Sequence, residues 1–420
     1  MRLTPTAIKG SLGITPLSVG DRRAVPPRNW AWRPLTSCAR LESGHTPSRY
    51  HPEWWGGQIP WISLTDIREL DGKIAQETRE YTNKEGIANS SARVLPVGTV
   101  VLSRTASVGF VTTMGREMAT SQDFVNWVCG PDLDPRFLAY LFRASRAYLR
   151  SLSSGAIHQT IYMPTVAAFE VCLPDLKEQQ RIVCSLDEQI AAVERARAAA
   201  EAQLEAAKAI PAAHFRSVFD GPAAQGWTRR RVSSLCRAID YGYTASADFG
   251  AVGPRYLRIT DIQDGKIEWA SAPGCHISAA DERSKTLADG DIVFARTGAT
   301  TGKSILIKQP PRAVFASYLI RLRPTDDVSP DYLYSFFQSD GYWRQVRALA
   351  RGGAQPNVNA TLLGSIEVPV CPRLEQERLC AELASNERIG DAVRRASEHQ
   401  LVAVDALPGA LLRRAFSGEL

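Results

Sequence analysis

The chain repeats itself at an offset of about 195 residues, and this repeat limits its possible folds more than any single motif does. Residues 63–67 read Ser-Leu-Thr-Asp-Ile, and they return at 258–262 as Arg-Ile-Thr-Asp-Ile. Repeats of about 20 to 50 residues indicate solenoids or propellers, whereas a period this long indicates two whole domains. The sequence therefore predicts a duplicated architecture.

The match continues almost in register to the end of the chain. The further matching pairs are 71–74 with 264–267, 95–105 with 287–297, 135–138 with 330–333, 178–181 with 375–378, and 215–221 with 412–418. In each copy a globular block comes first and a long helical segment follows. The repeated unit is thus a block together with its helix.

The composition fits two domains without a membrane anchor. The chain has 420 residues, of which 44% are hydrophobic, so each half is long enough to bury its own core. No apolar run approaches the roughly 18 residues that span a membrane. Residues 1–29 lack the apolar core of a secretion signal and are predicted to be an extended or poorly ordered lead-in. The 8 cysteines include no Cys-x-x-Cys spacing, which indicates reduced thiols in a cytoplasmic protein.

Each block has mixed α/β signals, and the predicted fold class is α+β. Strands are predicted at 59–64, 97–103 and 170–174 in the first copy, and at 256–259, 291–295 and 367–370 in the second. Helices are predicted at 137–149 and 332–349 from their apolar spacing. Asp71-Gly72 and Asp264-Gly265 are predicted hairpin turns, since glycine accepts the positive φ that such turns need.

A heptad pattern follows each block. The predicted seam of the first helix is Val183, Leu186, Ile190, Val193, Arg197, Ala200, Leu204 and Ala207. That of the second is Leu379, Leu383, Asn386, Ile389, Val393, Ala396, Gln400, Ala403 and Leu407, with one irregularity. So narrow an apolar stripe needs a partner helix to bury it. The simplest partner is the long helix of the other copy, packed in an antiparallel coiled coil. A helix of about 35 residues is roughly 50 Å long, or about 15 base pairs. Pro211 is predicted to kink or end the first helix, with Pro408 as its counterpart.

These parts, in this order, resemble a known family. Both helices begin with Glu-Gln-x-Arg, at 178–181 and 375–378, and both copies close on Phe-x-Gly, at 219–221 and 416–418. Residues 296–303 read Arg-Thr-Gly-x-x-x-Gly-Lys. The chain after about Trp30 is similar to the specificity subunit of type I restriction-modification systems, and residues 296–303 resemble a segment of its target-recognition domains.

The resemblance implies a non-catalytic subunit that directs other subunits to DNA. Its two target-recognition domains would each read one half of a split, asymmetric site in double-stranded DNA. Its helices would set the gap between the two half-sites and bind methyltransferase subunits, of which two are expected. Nuclease-translocase subunits can be added to this complex. On this division the domains are 30–174 and 222–372, with helical spacers 175–221 and 373–420. The first copy departs from the motif, since Ala106 and Phe110 stand where the second copy has Gly298 and Lys303.

Charge supports DNA binding by the blocks more than by the helices. The net charge is +6, while residues 175–208 hold 7 acidic and 5 basic residues, so the remainder of the chain carries +8. Phosphate contacts fix a protein on DNA and amide or guanidinium groups read base edges. Candidate phosphate contacts are Arg104, Thr105, Ser107, Arg296, Thr297, Thr300 and Lys303. Candidate base readers are Gln122, Asp123, His158 and Gln159 in the first block, and Ser317, Arg351, Gln355 and Asn357 in the second. For each, a solvated side chain or a local turn is the alternative.

No motif for intrinsic catalysis, a cofactor or a metal emerges. The loop at 298–304 is one residue short of a nucleotide-binding P-loop. The two Asp-Gly-Lys turns lack convergent carboxylates, and the 6 histidines show no ligand spacing. No Asp/Asn-Pro-Pro-Tyr/Phe tetrapeptide for gripping a flipped base is present. Two alternatives stay open: a self-sufficient DNA-modifying enzyme or nuclease with an unrecognised site, and a protein scaffold that binds no nucleic acid.

Overall fold

A computed structural model describes residues 15–20, 26–155, 159–263, 265–296, 301–349 and 358–420. The chain divides into two compact units. The first comprises Met1–Ala199 and Gln400–Leu420, and the second comprises Ala200–His399. Each unit therefore contains one globular block together with helical segments from both copies.

The first block is built on short strands with helices between them. Its strands are β1 Leu17–Ser18, β2 Ala31–Pro34, β3 Ala39–Ser43, β4 Trp55–Ile62, β5 Ile74–Ala75, β6 Glu80–Thr82, β7 Val100–Ser103, β8 Val111–Met114, β9 Ala119–Thr120, β10 Phe124–Cys129 and β11 Glu170–Leu173. Its helices are α1 Leu64–Leu70, α2 Lys84–Ala88, α3 Pro135–Ala144, α4 Arg146–Ser151 and α5 Met163–Ala167. The sheets have the orders β3-β10-β7-β8-β5, β1-β11-β2 and β6-β4-β9. All four residues of β7 are buried, as expected for a strand with the apolar run Val100 to Leu102.

The long helix α6, Leu176–Phe219, leads into the second block. There the strands are β12 Thr228–Arg231, β13 Cys236–Tyr241, β14 Arg255–Leu257, β15 Ile262–Gln263, β16 Lys266–Ile267, β17 Ile292–Ala295, β18 Ser304–Leu306, β19 Ala313–Phe315, β20 Leu319–Pro324 and β21 Glu367–Val370. The helices are α7 Pro222–Gln225, α8 Val232–Leu235, α9 Ala279–Lys285, α10 Pro330–Phe337, α11 Asp340–Leu349, α12 Ala360–Ser365 and the long α13 Arg373–Phe416. No described helix is both long and apolar enough to cross a membrane.

The predicted repeat is confirmed at the level of strand pairing. The order β3-β10-β7-β8 in the first block corresponds to β13-β20-β17-β18 in the second. The parallel pair of β4 and β9 corresponds to the parallel pair of β14 and β19. The closing strands β11 and β21 pair with β2 and β12 respectively. Two tandem α/β blocks with two long helices are therefore the fold, as the sequence predicts.

Several local predictions were wrong. Gly72 has φ of +76°, but it joins α1 to β5, and β5 pairs in parallel with β8, so Asp71-Gly72 is no hairpin. Gly265 does lie in a hairpin between β15 and β16, while Asp264 lies outside the described residues. Leu64 opens α1 instead of ending a strand, because Ser63 and Asp66 form a capping box. The single helices predicted at 137–149 and 332–349 are each broken into two.

The two long helices run antiparallel within each unit. In the first unit Arg181 Nη2 donates to Leu420 O at 2.7 Å, and Arg197 pairs with Asp405 at 3.1 Å. In the second unit Ile210 approaches Gly390, and His214 Nδ1 lies 3.2 Å from Asn386 Nδ2. Both helices span 44 residues and continue through Pro211 and Pro408, so neither proline ends its helix.

The seam predicted for α6 is confirmed except at Arg197, and the one predicted for α13 is confirmed only as far as Asn386. In α6 the seam residues from Val183 to Ala207 are buried or half-buried except Arg197. In α13 the pattern shifts by one residue after Asn386. Gly390, Ser397 and Val404 are buried, whereas Ile389, Val393 and Leu407 are 41–56% exposed. Two consecutive steps of four produce the shift, and a glycine at 390 leaves room for Ile210.

The Phe of each closing Phe-x-Gly packs into the block of the other copy. Phe416, at the end of α13, lies in the first unit, with its ring centroid 5.2 Å from that of Phe137 and 6.2 Å from that of Trp30. Phe219, at the end of α6, lies in the second unit, 5.3 Å from Tyr332. Since Phe137 and Tyr332 are aligned in the repeat, the two contacts are equivalent.

The Gln of Glu-Gln-x-Arg joins each long helix to its own block. The Oε1 atom of Gln179 accepts from Asp134 N at 2.9 Å, and its Nε2 donates to Asp132 O and Pro174 O at 3.1 and 3.0 Å. Gln376 accepts from Ser329 N at 2.7 Å and donates to Cys371 O at 2.8 Å. Asp134 and Ser329 cap α3 and α10, so each buried glutamine satisfies a helix-start backbone group.

Candidate nucleic-acid interface

Arg104 and Arg296 occupy equivalent positions just after the central strands β7 and β17. Arg104 N donates to Asp123 O at 2.9 Å, and Arg296 N donates to Tyr318 O at 3.0 Å. Their carbonyls accept from Ile161 N at 2.9 Å and Val358 N at 3.3 Å. Each arginine backbone thus joins three loops at the end of the main sheet. This arrangement carries candidate contact residues from distant parts of the chain to one place.

The two arginine side chains are held differently. Arg104 Nη2 donates to Gln122 O at 2.9 Å, whereas the Arg296 guanidinium lies 5.1 Å from the ring centroid of Tyr241. The Nε atom of each is buried and has no hydrogen-bond partner among the described residues. Buried polar groups in folded proteins are usually satisfied.

The structure brings six candidates of the first block together: Arg104, Thr105, Ser107, Gln122, Asp123 and Gln159. Ala106 N donates to Gln159 O at 3.1 Å, and the hydroxyls of Thr105 and Thr160 lie 3.4 Å apart. The Oε1 atom of Gln122 accepts from the Thr46 hydroxyl, and its exposed amide nitrogen donates to no other described residue. An amide with a free donor suits a base edge.

Asp123 has a local structural role as well. Its Oδ2 accepts from the Ser121 hydroxyl at 3.0 Å, and its backbone N donates to the same hydroxyl at 3.3 Å. This is the turn-forming alternative that the sequence left open, and it uses part of the carboxylate. His158 lies outside the described residues.

In the second block the described candidates are Arg296, Lys303 and Ser317. Lys303 is exposed, and its carbonyl accepts from Ala295 N at 2.9 Å, which places it beside the Arg296 loop. Ser317 N donates to Tyr243 O at 2.9 Å, and the neighbouring Tyr318 is 64% exposed. Thr297, Thr300, Arg351, Gln355 and Asn357 lie outside the described residues.

Sequence reasoning missed three side chains at these loops. Arg68 and Arg150 line a cavity next to Ser107 and Gln159, and Tyr241 lies beside Arg296. The signal for Arg68 was available, because the aligned position of the second copy holds Gln263.

Groups suited to covalent or metal chemistry are weakly developed in the described ranges. All 8 cysteines are free, and burial raises the pKa of Cys129 and of Cys236 to about 12, which suppresses the reactive thiolate. In the same ranges no group of three or more His, Cys, Asp or Glu residues is placed to hold a metal ion. The arrangement at Arg104 and Arg296 is suited to binding an anion.

Comparison with known proteins identifies the family. The family model for the type I restriction modification DNA specificity domain matches residues 27–205 and 245–386. The specificity subunit of the type I restriction enzyme EcoKI from Escherichia coli K12 is 22% identical over 94% of this chain and 90% of its own length. The MjaIX specificity subunit of Methanocaldococcus jannaschii is 27% identical, over 38% of each chain.

Two solved structures share the fold. The HsdS subunit of Thermoanaerobacter tengcongensis gives a TM-score of 0.65 at 20% identity, covering 94% of this chain and 98% of that one. A chain from a study of complex assembly and conformational transition in the type I R-M system gives 0.70 at 19% identity, covering 94% and 100%. At such identities the likeness establishes the fold alone.

Proposed function

The chain belongs to the type I restriction-modification DNA specificity family, and from this premise we propose that it directs partner enzymes to a split DNA sequence. Each recognition domain contacts one half of the site. We place these domains at residues 30–174 and 222–372, with the helical spacers at 175–221 and 373–420. The match of one family model to both copies is the observation that carries the proposal.

The two domains read different sequences because their scaffolds agree and their exposed side chains do not. The backbone bonds of Arg104 and Arg296 are equivalent, yet Gln122-Asp123 aligns with Ser317-Tyr318. An amide followed by a carboxylate offers donors and acceptors to a base edge that a hydroxyl and a phenol do not reproduce. The target is therefore asymmetric.

The long helices set the gap between the half-sites and bind methyltransferase subunits, through which nuclease-translocase subunits join. Support comes from exposed apolar residues of α13. Ile389 and Val393 are exposed there in the second unit, and Val402 and Leu407 in the first. Exposed apolar side chains, such as Ile389 and Val393 one helical turn apart, suit another protein surface.

The test is reconstitution. The purified chain is incubated with DNA, Mg²⁺ and S-adenosylmethionine, alone and with its methyltransferase subunits. We expect no reaction from the chain alone and methylation of one asymmetric bipartite sequence from the complex. Methylation or cleavage by the chain alone would establish a self-sufficient enzyme. Absence of DNA binding under all salt conditions would establish a scaffold without nucleic acid.

Two exchanges separate the roles of the parts. Replacing residues 30–173 by the corresponding block of another family member should change one half of the methylated sequence only. Deleting seven residues from each long helix should change the gap and leave both halves intact. Methylome sequencing measures both outcomes.

A further inference from the structure

The first block contains a cavity of about 440 Å³ beside the loop that follows β7. It opens next to the candidate residues Ser107 and Gln159. Its lining is Arg68, Ala106, Ser107, Val108, Phe110, Arg150 and Gln159. The lining contains two arginines and no acidic residue, and neither arginine is among the candidate contacts predicted from the sequence.

The positive charge of this cavity is uncompensated. Arg68 and Arg150 are both exposed, and neither has a carboxylate within ion-pair distance among the described residues. The neighbouring Arg146 behaves differently, since its Nη2 contacts both carboxylate oxygens of Asp71, at 2.6 and 2.7 Å. Arg150 makes only a long contact, from Nε to Val108 O at 3.4 Å. Two unpaired cations around one concave surface attract an anion.

The loop at the mouth of the cavity is held in an unusual conformation. Ala106 has φ of +58°, a region that residues other than glycine rarely occupy. Hydrogen bonds hold it there: Ala106 N donates to Gln159 O at 3.1 Å, and Phe110 N donates to Ser107 O at 3.1 Å. The Ser107 hydroxyl bonds to no other described residue. Backbone strain held by its surroundings is concentrated at binding sites, and here the strained loop lines the same cavity as the two arginines.

The second copy has different residues at the positions that correspond to this cavity. Phe110 aligns with Lys303, and Arg68 aligns with Gln263. The Arg146 Nε donates to Gly109 O at 3.0 Å and the Tyr342 hydroxyl donates to Gly302 O at 2.8 Å, so a side chain of α4 or α11 holds each loop. The buried Leu149 corresponds to the buried Val346, and the exposed Arg150 to the exposed Arg347. The second copy thus has a lysine on the loop, where the first copy has an arginine on α1 instead.

We propose that this cavity binds one phosphate diester of the DNA backbone, held by Arg68 and Arg150, with Arg68 replacing the charge that Lys303 provides in the second copy. The inference rests on the proposed function and adds residues to it. Guanidinium groups donate charge-assisted hydrogen bonds to phosphate oxygens, and the Ser107 hydroxyl adds a neutral donor. Such a contact fixes the position of the domain on DNA and reads no base.

The experiment measures binding of the complex with methyltransferase subunits to two labelled duplexes, one with the methylated site and one unrelated, over a salt series. The variant R68A/R150A is compared with R33A, which removes an exposed arginine of β2 in the same block. We expect the double variant to bind both duplexes on the order of tenfold more weakly. The slope of log affinity against log salt should fall by about 0.9, as for one lost phosphate contact. R33A should bind like the wild type.

Further measurements separate the possible failures. K303A should reproduce the loss in affinity and slope. Thermal denaturation should show that R68A/R150A stays folded, as expected for exposed side chains. If R68A/R150A binds duplexes like R33A, the inference is wrong while the proposed function stands; if the wild type binds neither duplex, the proposed function fails. The last measurement uses inorganic phosphate alone. If phosphate stabilises the wild type but not R68A/R150A against thermal denaturation, and the two proteins bind duplexes equally well, the cavity is a free-phosphate site and the inference is wrong.

Discussion

The two copies have the same sheet but different chemistry at its centre. Asn126 of β10 and Arg321 of β20 occupy equivalent positions, opposite Glu42 of β3 and Asp240 of β13. Asn126 is fully buried, and its Nδ2 donates to the Thr120 hydroxyl at 2.9 Å, while its Oδ1 has no partner. Arg321 is 2% exposed and makes two bonds to Asp240, at 2.8 and 3.1 Å.

The ionic arrangement of the second copy extends beyond this pair. Arg323 donates to both carboxylate oxygens of Asp291 at 2.8 Å, and this bond raises the pKa of Arg323. Arg321 also donates to the carbonyls of Thr286 and Ser284. In the first copy the position of Asp291 is held by Thr99. The duplicated backbone thus accepts a neutral amide or a charged arginine at the same buried position, and in both copies the opposing carboxylate has an arginine partner.

The largest effects should come from the closing phenylalanines, which test whether each copy stabilises the block of the other. F416A should lower the free energy of unfolding by about 3–5 kcal/mol, because it leaves a cavity beside Phe137 and Trp30. F219A should do the same beside Tyr332. Hydrogen exchange measured by mass spectrometry should show increased exchange in block one for F416A and in block two for F219A. L407A, at an exposed position of α13, serves as the control. Increased exchange in block two on F416A would contradict the swapped arrangement.

The next effect separates the buried arginine of the second copy from the buried asparagine of the first. R321M should cost about 3 kcal/mol, since it leaves Asp240 and the buried Asp291 without a shared cation. N126L should cost less than about 1 kcal/mol, because only one hydrogen bond is lost and an unpaired oxygen is removed. Chemical denaturation compares the two. Equal costs would show that burial alone, and not the number of partners, governs this position.

Replacing the buried glutamines at the start of the two long helices, Gln179 and Gln376, should show a smaller difference in stability between the copies. Q179A removes three hydrogen bonds and Q376A removes two, so costs of about 1–3 kcal/mol are expected, with Q179A the greater. The adjacent, exposed Gln180 gives a matched control, for which Q180A should change stability by less than about 0.5 kcal/mol. A larger cost for Q376A would contradict the ranking by hydrogen bonds.

The smallest effect concerns Glu178 and Arg181, the first and last residues of the Glu-Gln-x-Arg motif in the first copy. The Arg181 hydrogen bond lowers the pKa of Glu178, so its contribution is present above the ordinary glutamate pKa and is lost as pH falls through the lowered one. E178Q should therefore cost only about 0.3–0.5 kcal/mol at neutral pH and nothing in acid. Denaturation at several pH values measures this. A cost that grows on acidification would reverse the sign and refute the assignment.

The sequence by itself determined the duplication, the α+β class and the order of blocks and helices. These follow from local signals: apolar periodicity, turn residues and the offset between copies, each read from a few neighbouring residues. It also indicated the loops at Arg104 and Arg296, because the same Arg-Thr pair follows the same strand in both copies.

Only the tertiary structure decided which residues meet across the chain. The one-residue shift of the α13 seam depends on how Gly390 packs against Ile210, and the placement of Phe219 and Phe416 depends on contacts far apart in sequence. Arg150 lies about 80 residues from Arg68, and the two share a cavity only because the intervening strands bring α1 and α4 together. Side-chain packing of this kind is set by the whole fold, whereas periodicity reports only which face of an element is apolar.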